Sequence, residues 1–367
     1  MTTGPLRILA ISRQTEGAND YAFVRAFRRA GHFVKVVNPT EYVPYGWTSG
    51  VLRYAKRALY GPATAAFNAA VVAEAEALRP HLFFVFKGQM VSADTVSAVR
   101  AMGVVAINFY PDTGFTSYGP FLAKAVSRYD FIYTTKEFGL TDLAENYGMP
   151  RAAYLNHAYD PEVHAAVPLQ DDDWQRMEAD VVFVGAQSPK KEAYLAHLIA
   201  ARPDLTYRIW GGHRWQLPEA PRVFFGGALS GFEYSKALRG GKIALALLYE
   251  GDKDAPQGDD VTARTFEIPA AGAFMLHERT EMAMALFHED RECAFFGSAD
   301  ELVTKVDHYL ARPDLRAAIA AAGQKRCESS HYSVDARVAT IVDTTVRIAA
   351  ERNISVPQPA ATVPLGA

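Results

Sequence analysis

The chain has 367 residues, of which 49% are hydrophobic and 22% are charged. This composition excludes a largely disordered chain, and at roughly 100–200 residues per domain the length predicts two domains. The formal net charge is −3, which argues against non-specific nucleic-acid binding as the main task.

The first half of the sequence alternates strands with helices. Apolar runs predict strands at 7–12, 33–37, 81–86, 104–109, 130–134 and 152–155. Helical spacing of apolar residues predicts helices between them at 21–29, 93–102 and 140–147. Strands separated by helices form right-handed crossovers and a parallel sheet, so we expect a doubly wound domain.

The same alternation restarts after an acidic stretch, 160–180, which we expect to be rich in turns. Strands are predicted at 181–185, 206–210, 223–225, 242–248, 273–277 and 293–296. Helices are predicted at 194–201, 234–239, 264–271 and 281–287, and from Ser298 onward. This alternation predicts a second doubly wound sheet.

The expected fold is therefore α/β, with two Rossmann-like, doubly wound parallel-sheet domains that face a cleft. Ligands of such sheets bind beyond the carboxyl ends of the strands, so we expect the site in that cleft. The domains are placed at 1–162 and 163–332. A C-terminal helix, 333–352, is expected to return to the first domain, and 353–367 is expected to be a disordered tail.

The sequence lacks membrane-spanning and export signals, which bears on the location expected for the protein. No apolar run approaches the ~20 residues that a bilayer-spanning helix needs, and residues 1–5 lack the features of a signal peptide. Cys293 and Cys327 are too few for a disulfide framework, and no Cys/His spacing resembles a zinc site. We expect a cytoplasmic protein with reduced thiols and no metal.

Two common nucleotide-binding motifs are missing from the sequence. Neither half has GxGxxG after its first strand, and GxxxxGK[ST] does not occur. These absences argue against a nicotinamide-dependent dehydrogenase and against a P-loop enzyme.

The segment 183–191 is the first whose residues suggest a ligand-binding site. A strand ends in Gly185, and a polar loop with two lysines leads from it towards a helix. Backbone N–H groups and the helix dipole at such a junction favour an anion such as a diphosphate. A plain turn with solvated lysines is the alternative.

A second segment places Asp259 eight positions before Glu267, with Arg264 between them. A carboxylate accepts hydrogen bonds from sugar hydroxyls, and an arginine donates to phosphate oxygens. The pattern suits a ligand that carries both groups. A helix-capping aspartate and a surface ion pair would produce the same residues.

The sequence around this arginine resembles a known family. The run 264–276, RTFEIPAAGAFML, is similar to the signature of CgeB-type (spore-maturation-like) glycosyltransferases. Segments 183–185, 154–160, 295–296 and 87–88 are similar to the same group, and the resemblance covers most of 80–345. It implies a GT-B fold, with a nucleotide-sugar donor on the C-terminal lobe and an acceptor mainly on the N-terminal one.

The resemblance also implies roles for residues of the second domain. Glu267 would hold the ribose hydroxyls, and Asp259, where the wider pattern usually has Glu, would face the transferred sugar. Arg264 and Lys190 would neutralise the diphosphate, so that neither a metal nor a cofactor is required. Further donor-binding candidates are Gly185, Ser188, Thr265 and His157. His157 would either contact the donor phosphates or brace the hinge.

The N-terminal domain would supply the acceptor side. Asp112 follows the predicted strand 104–109, where it would deprotonate or orient an acceptor hydroxyl. An ordinary turn aspartate after Pro111 is the alternative. The Gly17 loop would border the acceptor.

Residues 47–60 interleave three basic residues with aromatic and aliphatic ones. They would dock on an anionic membrane surface, at its cytoplasmic face, or form a solvated helix. The sequence carries no signal of oligomeric state.

We therefore expect a metal-independent glycosyltransferase that moves a sugar from a nucleoside diphosphate to a hydroxyl of a saccharide, lipid-linked or protein acceptor. A nucleotide-sugar epimerase of the same fold and a non-enzymatic sugar- or nucleotide-binding protein are the alternatives.

Overall fold

The computed structural model describes residues 4–43, 50–116, 120–164, 167–212, 215–217, 222–251 and 257–357, with only the backbone described at 50–58 and 120. The chain divides into two compact units. The first comprises Met1–Asn156 and Asp335–Ala367, and the second comprises His157–Val334. The sequence places the domain boundaries at 162 and 332.

The first unit contains a six-stranded parallel sheet. Its strands are β1 (Arg7–Ile11), β2 (Phe33–Val37), β3 (Leu82–Phe86), β4 (Val105–Tyr110), β5 (Phe131–Thr134) and β6 (Ala152–Tyr154). Their order in the sheet is β2-β1-β3-β4-β5-β6, and every neighbouring pair is parallel. The chain therefore changes direction across the sheet between β1 and β3, which is where open α/β sheets bind ligands.

Five helices of this unit lie between the strands in sequence. They are α1 (Asn19–Arg29), α2 (Gly50–Leu78), α3 (Ala93–Ala101), α4 (Pro120–Ala125) and α5 (Phe138–Glu145). β3 and β4 are buried along their whole length, as continuous apolar runs are when helices cover both faces of a sheet.

The long helix α2 extends well past the predicted basic segment 47–60. Gly61 and Pro62 read as a break in the sequence, yet Pro62 lies inside the helix. The buried side chains of Phe67, Val71 and Ala75 recur at four-residue spacing. This apolar stripe packs in the core of the first unit, so tertiary packing outweighs the local helix-breaking signal.

No helix in the described part of the chain is both long and apolar enough to cross a bilayer. Residues 47–49 lie outside the described residues, as do the side chains of 50–58. Docking of 47–60 on a membrane surface therefore stays a prediction.

The second unit contains another six-stranded parallel sheet. Its strands are β7 (Ala179–Val184), β8 (Tyr207–Trp210), β9 (Val223–Gly226), β10 (Gly241–Ala246), β11 (Met275–Glu278) and β12 (Ala294–Phe296). They are ordered β12-β11-β10-β7-β8-β9, so the change of direction falls between β7 and β10. The predicted α/β class with two doubly wound parallel sheets is thus confirmed.

The helices of the second unit cover both faces of this sheet. They are α6 (Asp171–Met177), α7 (Pro189–Ala201), α8 (Gly231–Gly240), α9 (Arg264–Ala270), α10 (Glu281–Leu286), α11 (Ala299–Leu310) and α12 (Pro313–Ser329). The two larger apolar clusters of this unit lie between these helices and the strands.

Helix α6 corrects the expectation of a turn-rich stretch at 160–180. Its first turn consists of Asp171, Asp172 and Asp173, whose charges suit the positive end of a helix dipole. Gln170 and Asp173 form a reciprocal capping box at this end. The acidic run is therefore a helix start rather than a loop.

The last helix, α13 (Val334–Glu351), is bonded to the sheet of the first unit. The hydroxyls of Tyr133 and Thr344 lie 2.6 Å apart, and Arg352 Nη1 donates to Asp130 Oδ2 at 2.8 Å. These contacts join the end of the chain to β5 and to the residue just before it. Of the predicted tail, 358–367 lie outside the described residues.

Candidate functional site

Arg264 lies at the carboxyl edge of the second sheet, beside its change of direction. Its Nη1 donates to the carbonyl of Val184 at 3.3 Å, and Nη2 donates to that of Leu247 at 3.4 Å. Its Nε is buried without a hydrogen-bond partner among the described residues. The guanidinium is therefore held by backbone carbonyls, and no carboxylate of the described residues pairs with it.

Gly185, at the end of β7, allows the guanidinium to lie directly on the backbone. A Cβ atom at this position would lie 2.7 Å from Arg264 Nη1 and 3.0 Å from the Phe183 ring. Gly211, which follows β8, has a φ of +129°, and a Cβ there would lie 2.1 Å from the Gly185 carbonyl oxygen. A side chain at 185 would therefore displace the guanidinium, and one at 211 would clash with the backbone itself.

Lys191 is the second cation of this edge, and it is absent from the predicted set. It is only 4% exposed, and its Nζ donates to the carbonyl of Ala186 at 3.3 Å and lies 5.7 Å from the Tyr249 ring centre. Burial, reinforced by the charge of Arg264, lowers the pKa of Lys191 to about 8.

The helical spacing of apolar residues in the sequence indicates that Lys191 is buried. The predicted helix 194–201 begins too late, since α7 starts at Pro189. In the full helix Lys191 shares its buried face with Leu195, Leu198 and Ile199. This spacing of four, seven and eight residues identifies the buried lysine of the adjacent pair.

Lys190 and Ser188, both predicted to bind the donor, make internal bonds. Lys190 Nζ lies 2.7 Å from Glu278 Oε1. The hydroxyl of Ser188 donates to Glu250 Oε2 at 2.6 Å, and the backbone N–H of Lys190 donates to Glu250 Oε1 at 3.1 Å. The carboxylate of Glu250 therefore caps the start of α7, and these bonds lower its pKa despite partial burial.

Glu267, the predicted ribose-binding residue, is 6% exposed. The Tyr234 hydroxyl donates to its Oε2 at 2.6 Å, and His164 Nε2 lies 3.8 Å from its Oε1. Asp259 is half-buried on the loop before α9, and its N–H donates to the carbonyl of Tyr249 at 2.9 Å. The charge of Asp259 opposes the lowering of the Lys191 pKa, so the two charged groups lie near each other.

The hydroxyl of Thr265 is committed to bonds inside the unit. It accepts the N–H of Thr262 at 3.0 Å and lies 2.8 Å from Nε2 of the buried His277. Burial lowers the pKa of His277 to about 4, so this imidazole is neutral near pH 7.

His157 is half-buried where the second unit begins.

The first unit has a small cavity of about 90 Å³ at the carboxyl ends of β1 and β3. Ile11, Phe67 and Phe86 contribute apolar wall, and the polar lining is Ser12, Arg13, Asp20, Lys87 and Gln89. A pocket with one apolar wall and several charged groups suits a small polyhydroxylated ligand, whose ring has apolar C–H faces and polar edges.

Two ion pairs hold the charged groups of this cavity. Lys87 Nζ lies 2.6 Å from Asp112 Oδ2, so the structure joins the predicted acceptor-side carboxylate to the cavity wall. Asp20 accepts the N–H of Arg13 at 2.7 Å and pairs with its guanidinium at 3.2 Å. Gly17, with a φ of +77°, lies in the same loop between β1 and α1.

The backbone at Lys87 is strained. Its φ is +61°, a left-handed conformation that non-glycine residues adopt at a cost of about 1–3 kcal/mol. Gly88 follows with a φ of +91°, and a Cβ there would lie 3.0 Å from Val85 Cγ1. The turn is therefore held in an unfavourable conformation that directs Lys87 to Asp112.

We expect Lys191→Met to stabilise the protein at pH 7 by on the order of 2 kcal/mol, because the variant no longer buries a protonated amine. A folded-state pKa below the unfolded one means that the unfolded chain binds more protons between about pH 8 and 10.5. As the pH rises through this window, the free energy of unfolding of the wild type therefore increases relative to that of the variant. Urea unfolding of both proteins at pH 7 and pH 10 measures the difference, and an equal difference at the two pH values would contradict the assignment.

Comparison with known families gives a match over part of the second unit and α13. Residues 190–343 match a family model described as Glycosyl transferase-like. This match supports the broader family, and the CgeB-type subfamily is not confirmed by it. No curated protein sequence matches the chain significantly.

Solved structures match nearly the whole chain at low sequence identity. Sucrose-phosphate synthase from Thermosynechococcus elongatus has a TM-score of 0.65 and 12% identity, with 94% of this chain and 100% of that one covered. HepE from Anabaena in complex with UDP-glucose has a TM-score of 0.62 and 13% identity, with 92% and 100% covered. A putative UDP-N-acetylglucosamine 2-epimerase from Listeria monocytogenes has a TM-score of 0.55 and 11% identity, with 97% and 99% covered. The chain thus has the GT-B fold and carries a glycosyltransferase-like domain.

Proposed function

We propose that the protein is a metal-independent glycosyltransferase of the CgeB type, which transfers a sugar from a nucleoside diphosphate to an acceptor hydroxyl. The observation that carries this proposal is the pair of cations at the edge of the second sheet. Arg264 and Lys191 both lie at the backbone around Gly185. Neither forms an ion pair with a carboxylate of the described residues.

Electrostatics makes this edge a site for an anion. Burial and the charge of Arg264 both lower the pKa of Lys191, so the two cations disfavour each other. A diphosphate would compensate both charges and accept hydrogen bonds from both side chains. Its negative charge increases as the sugar leaves, so fixed cations would stabilise the transition state more than the bound donor.

The nucleoside would lie beside α9, where Glu267 offers carboxylate oxygens to ribose hydroxyls. Asp259, whose charge acts on Lys191, would contact the transferred sugar. The UDP-glucose complex of the structurally similar HepE supports a nucleotide sugar as donor. The bonds of Ser188 and Lys190 to Glu250 and Glu278 favour Lys191 over Lys190 as the diphosphate-binding lysine.

The acceptor would occupy the cavity of the first unit. Lys87 pairs with Oδ2 of Asp112, which leaves Oδ1 to accept the proton of an acceptor hydroxyl. The acceptor oxygen then forms the bond to the anomeric carbon, and the bond from that carbon to the diphosphate breaks with its electrons on the leaving nucleotide. A saccharide suits the amphipathic wall. A lipid-linked acceptor would instead bring the segment 47–60 to a membrane surface.

We expect the protein to release free nucleoside diphosphate from one member of a panel of UDP-, GDP-, ADP- and dTDP-sugars when a mixture of saccharide acceptors is present. Chromatography of the nucleotides and mass spectrometry of the acceptors measure the transfer. Formation of an epimer without acceptor would contradict the proposal and identify an epimerase. Binding without any turnover would identify a non-enzymatic binding protein.

Arg264→Gln should weaken the affinity for the corresponding nucleoside diphosphate by about 10–100-fold in the same system, the cost of one or two charge-assisted hydrogen bonds. The affinity for the unphosphorylated nucleoside should be nearly unchanged. Arg222→Gln is the matched control, because Arg222 is exposed and donates only to the carbonyl of Asp204 among the described residues. An equal loss for nucleoside and nucleotide would place Arg264 away from the diphosphate.

Asp112→Asn should lower kcat of sugar transfer by about 10²–10⁴-fold, the usual contribution of a positioned acid or base. KM for the donor should stay within a factor of about three, since Asp112 belongs to the acceptor side. Steady-state kinetics with varied donor and acceptor separate the two effects. Asp94→Asn, on helix α3 of the same unit, is the control. An unchanged kcat in a folded Asp112→Asn protein would overturn this role.

A further inference from the structure

Tyr234 of α8 restrains the carboxylate of Glu267 on the neighbouring helix α9. Its hydroxyl donates to Glu267 Oε2 at 2.6 Å. Burial, together with the adjacent negative charge of Glu267, raises the pKa of Tyr234 well above its usual value. The phenol therefore keeps its proton at all physiological pH values and acts as a permanent hydrogen-bond donor.

His164 approaches the same carboxylate from the other oxygen. Its Nδ1 accepts the backbone N–H of Asp160 at 3.0 Å, which places the proton of the neutral ring on Nε2. Nε2 lies 3.8 Å from Glu267 Oε1. This distance is too long for a strong hydrogen bond but short enough for the N–H dipole to favour the carboxylate.

The two aromatic side chains also fix each other. The rings of His164 and Tyr234 meet edge to face, with 5.5 Å between their centres. The next residue of α8, Ser235, is fully buried and donates its hydroxyl to the carbonyl of Val163 at 2.6 Å. The segment that carries His164 is therefore anchored to α8, and the orientation of Tyr234 is set by packing.

Orientation matters for a carboxylate that binds a diol. A carboxylate accepts about four hydrogen bonds, and one strong bond to Glu267 is present in the described structure. A ribose would supply two more through its adjacent hydroxyls, provided that the plane of the carboxylate faces both. A 2′-deoxyribose supplies one, which leaves a buried acceptor unsatisfied, and sites built for a hydroxyl reject analogues that lack it.

We propose that Tyr234, assisted by His164, is a positioning residue that holds Glu267 for simultaneous contact with both ribose hydroxyls and so selects ribonucleotides over 2′-deoxyribonucleotides. The inference rests on the proposed function and adds a specificity element to the donor site. Without the tyrosine hydroxyl, the carboxylate is able to rotate towards a single hydroxyl, and the two nucleotide classes bind more equally.

The test compares dissociation constants of UDP, GDP and ADP with those of their 2′-deoxy counterparts by titration calorimetry. For the base that binds, the wild-type protein should prefer the ribonucleotide by about 10–100-fold. Tyr234→Phe should reduce this ratio to about threefold or less. A merely structural role would weaken both nucleotides alike and leave the ratio unchanged, and an unchanged ratio in the folded variant overturns the inference.

Tyr309→Phe is the matched control. Tyr309 is also buried in the second unit, where its hydroxyl donates to the carboxylate of Asp290. Its replacement removes a comparable tyrosine–carboxylate bond and should leave the ribose preference intact. If Tyr234→Phe fails to fold, His164→Phe keeps a ring beside Tyr234 and removes the N–H. It should lower the preference by a smaller factor, and an unchanged preference there overturns the inference.

The outcome for the wild-type protein separates the two proposals. Binding of ribo- and deoxyribonucleotides with equal affinity overturns the role of Tyr234 while the donor site itself stands. A wild-type protein that binds none of the nucleoside diphosphates overturns the proposed function and, with it, the inference that depends on it.

Discussion

Burial of Lys191, reinforced by the charge of Arg264, is the constraint on which the proposed donor site depends. Two cations are held at the edge of a sheet by backbone carbonyls. Arg264 has a buried Nε without a hydrogen-bond partner among the described residues, and the pKa of Lys191 is lowered to about 8. Burial of a protonated amine beside another cation costs folding free energy. Under the proposed function, a bound diphosphate would recover that cost, and stability would be exchanged for affinity at this edge.

The parallel sheet is what brings these groups together from distant parts of the chain. Arg264 begins the helix that precedes β11, Lys191 lies in the first turn after β7, and both reach the edge at which β7 and β10 are neighbours. Glycine at 185 lets the Arg264 guanidinium lie against the backbone, and glycine at 211 lets β8 approach the Gly185 carbonyl. The local sequence determines which side chains are present, and the order of the strands in the sheet brings them close together.

The fold was predictable from the sequence because apolar runs and helical spacing are local signals, as the strand at 33–37 shows. The part of α2 beyond residue 60 was not predicted, because its stabilising contacts, through Phe67 and Val71, are tertiary while Gly61 and Pro62 favour a break. Within the candidate site, the sequence singled out Arg264 and Glu267 by residue type. It did not identify Lys191, because the phase of α7 decides which of the two lysines is buried. It did not identify Tyr234, because a contact between α8 and α9 decides which hydroxyl donates to Glu267.

The return of α13 to the first unit has a consequence for biosynthesis. Residues of β5 and Asp130 contact Thr344 and Arg352, which leave the ribosome after every strand of the second unit has been made. The second unit is a single uninterrupted stretch, His157–Val334, whereas the first is completed only by the end of the chain. During translation the N-terminal sheet therefore lacks its contacts to Thr344 and Arg352 until the whole second unit has been made.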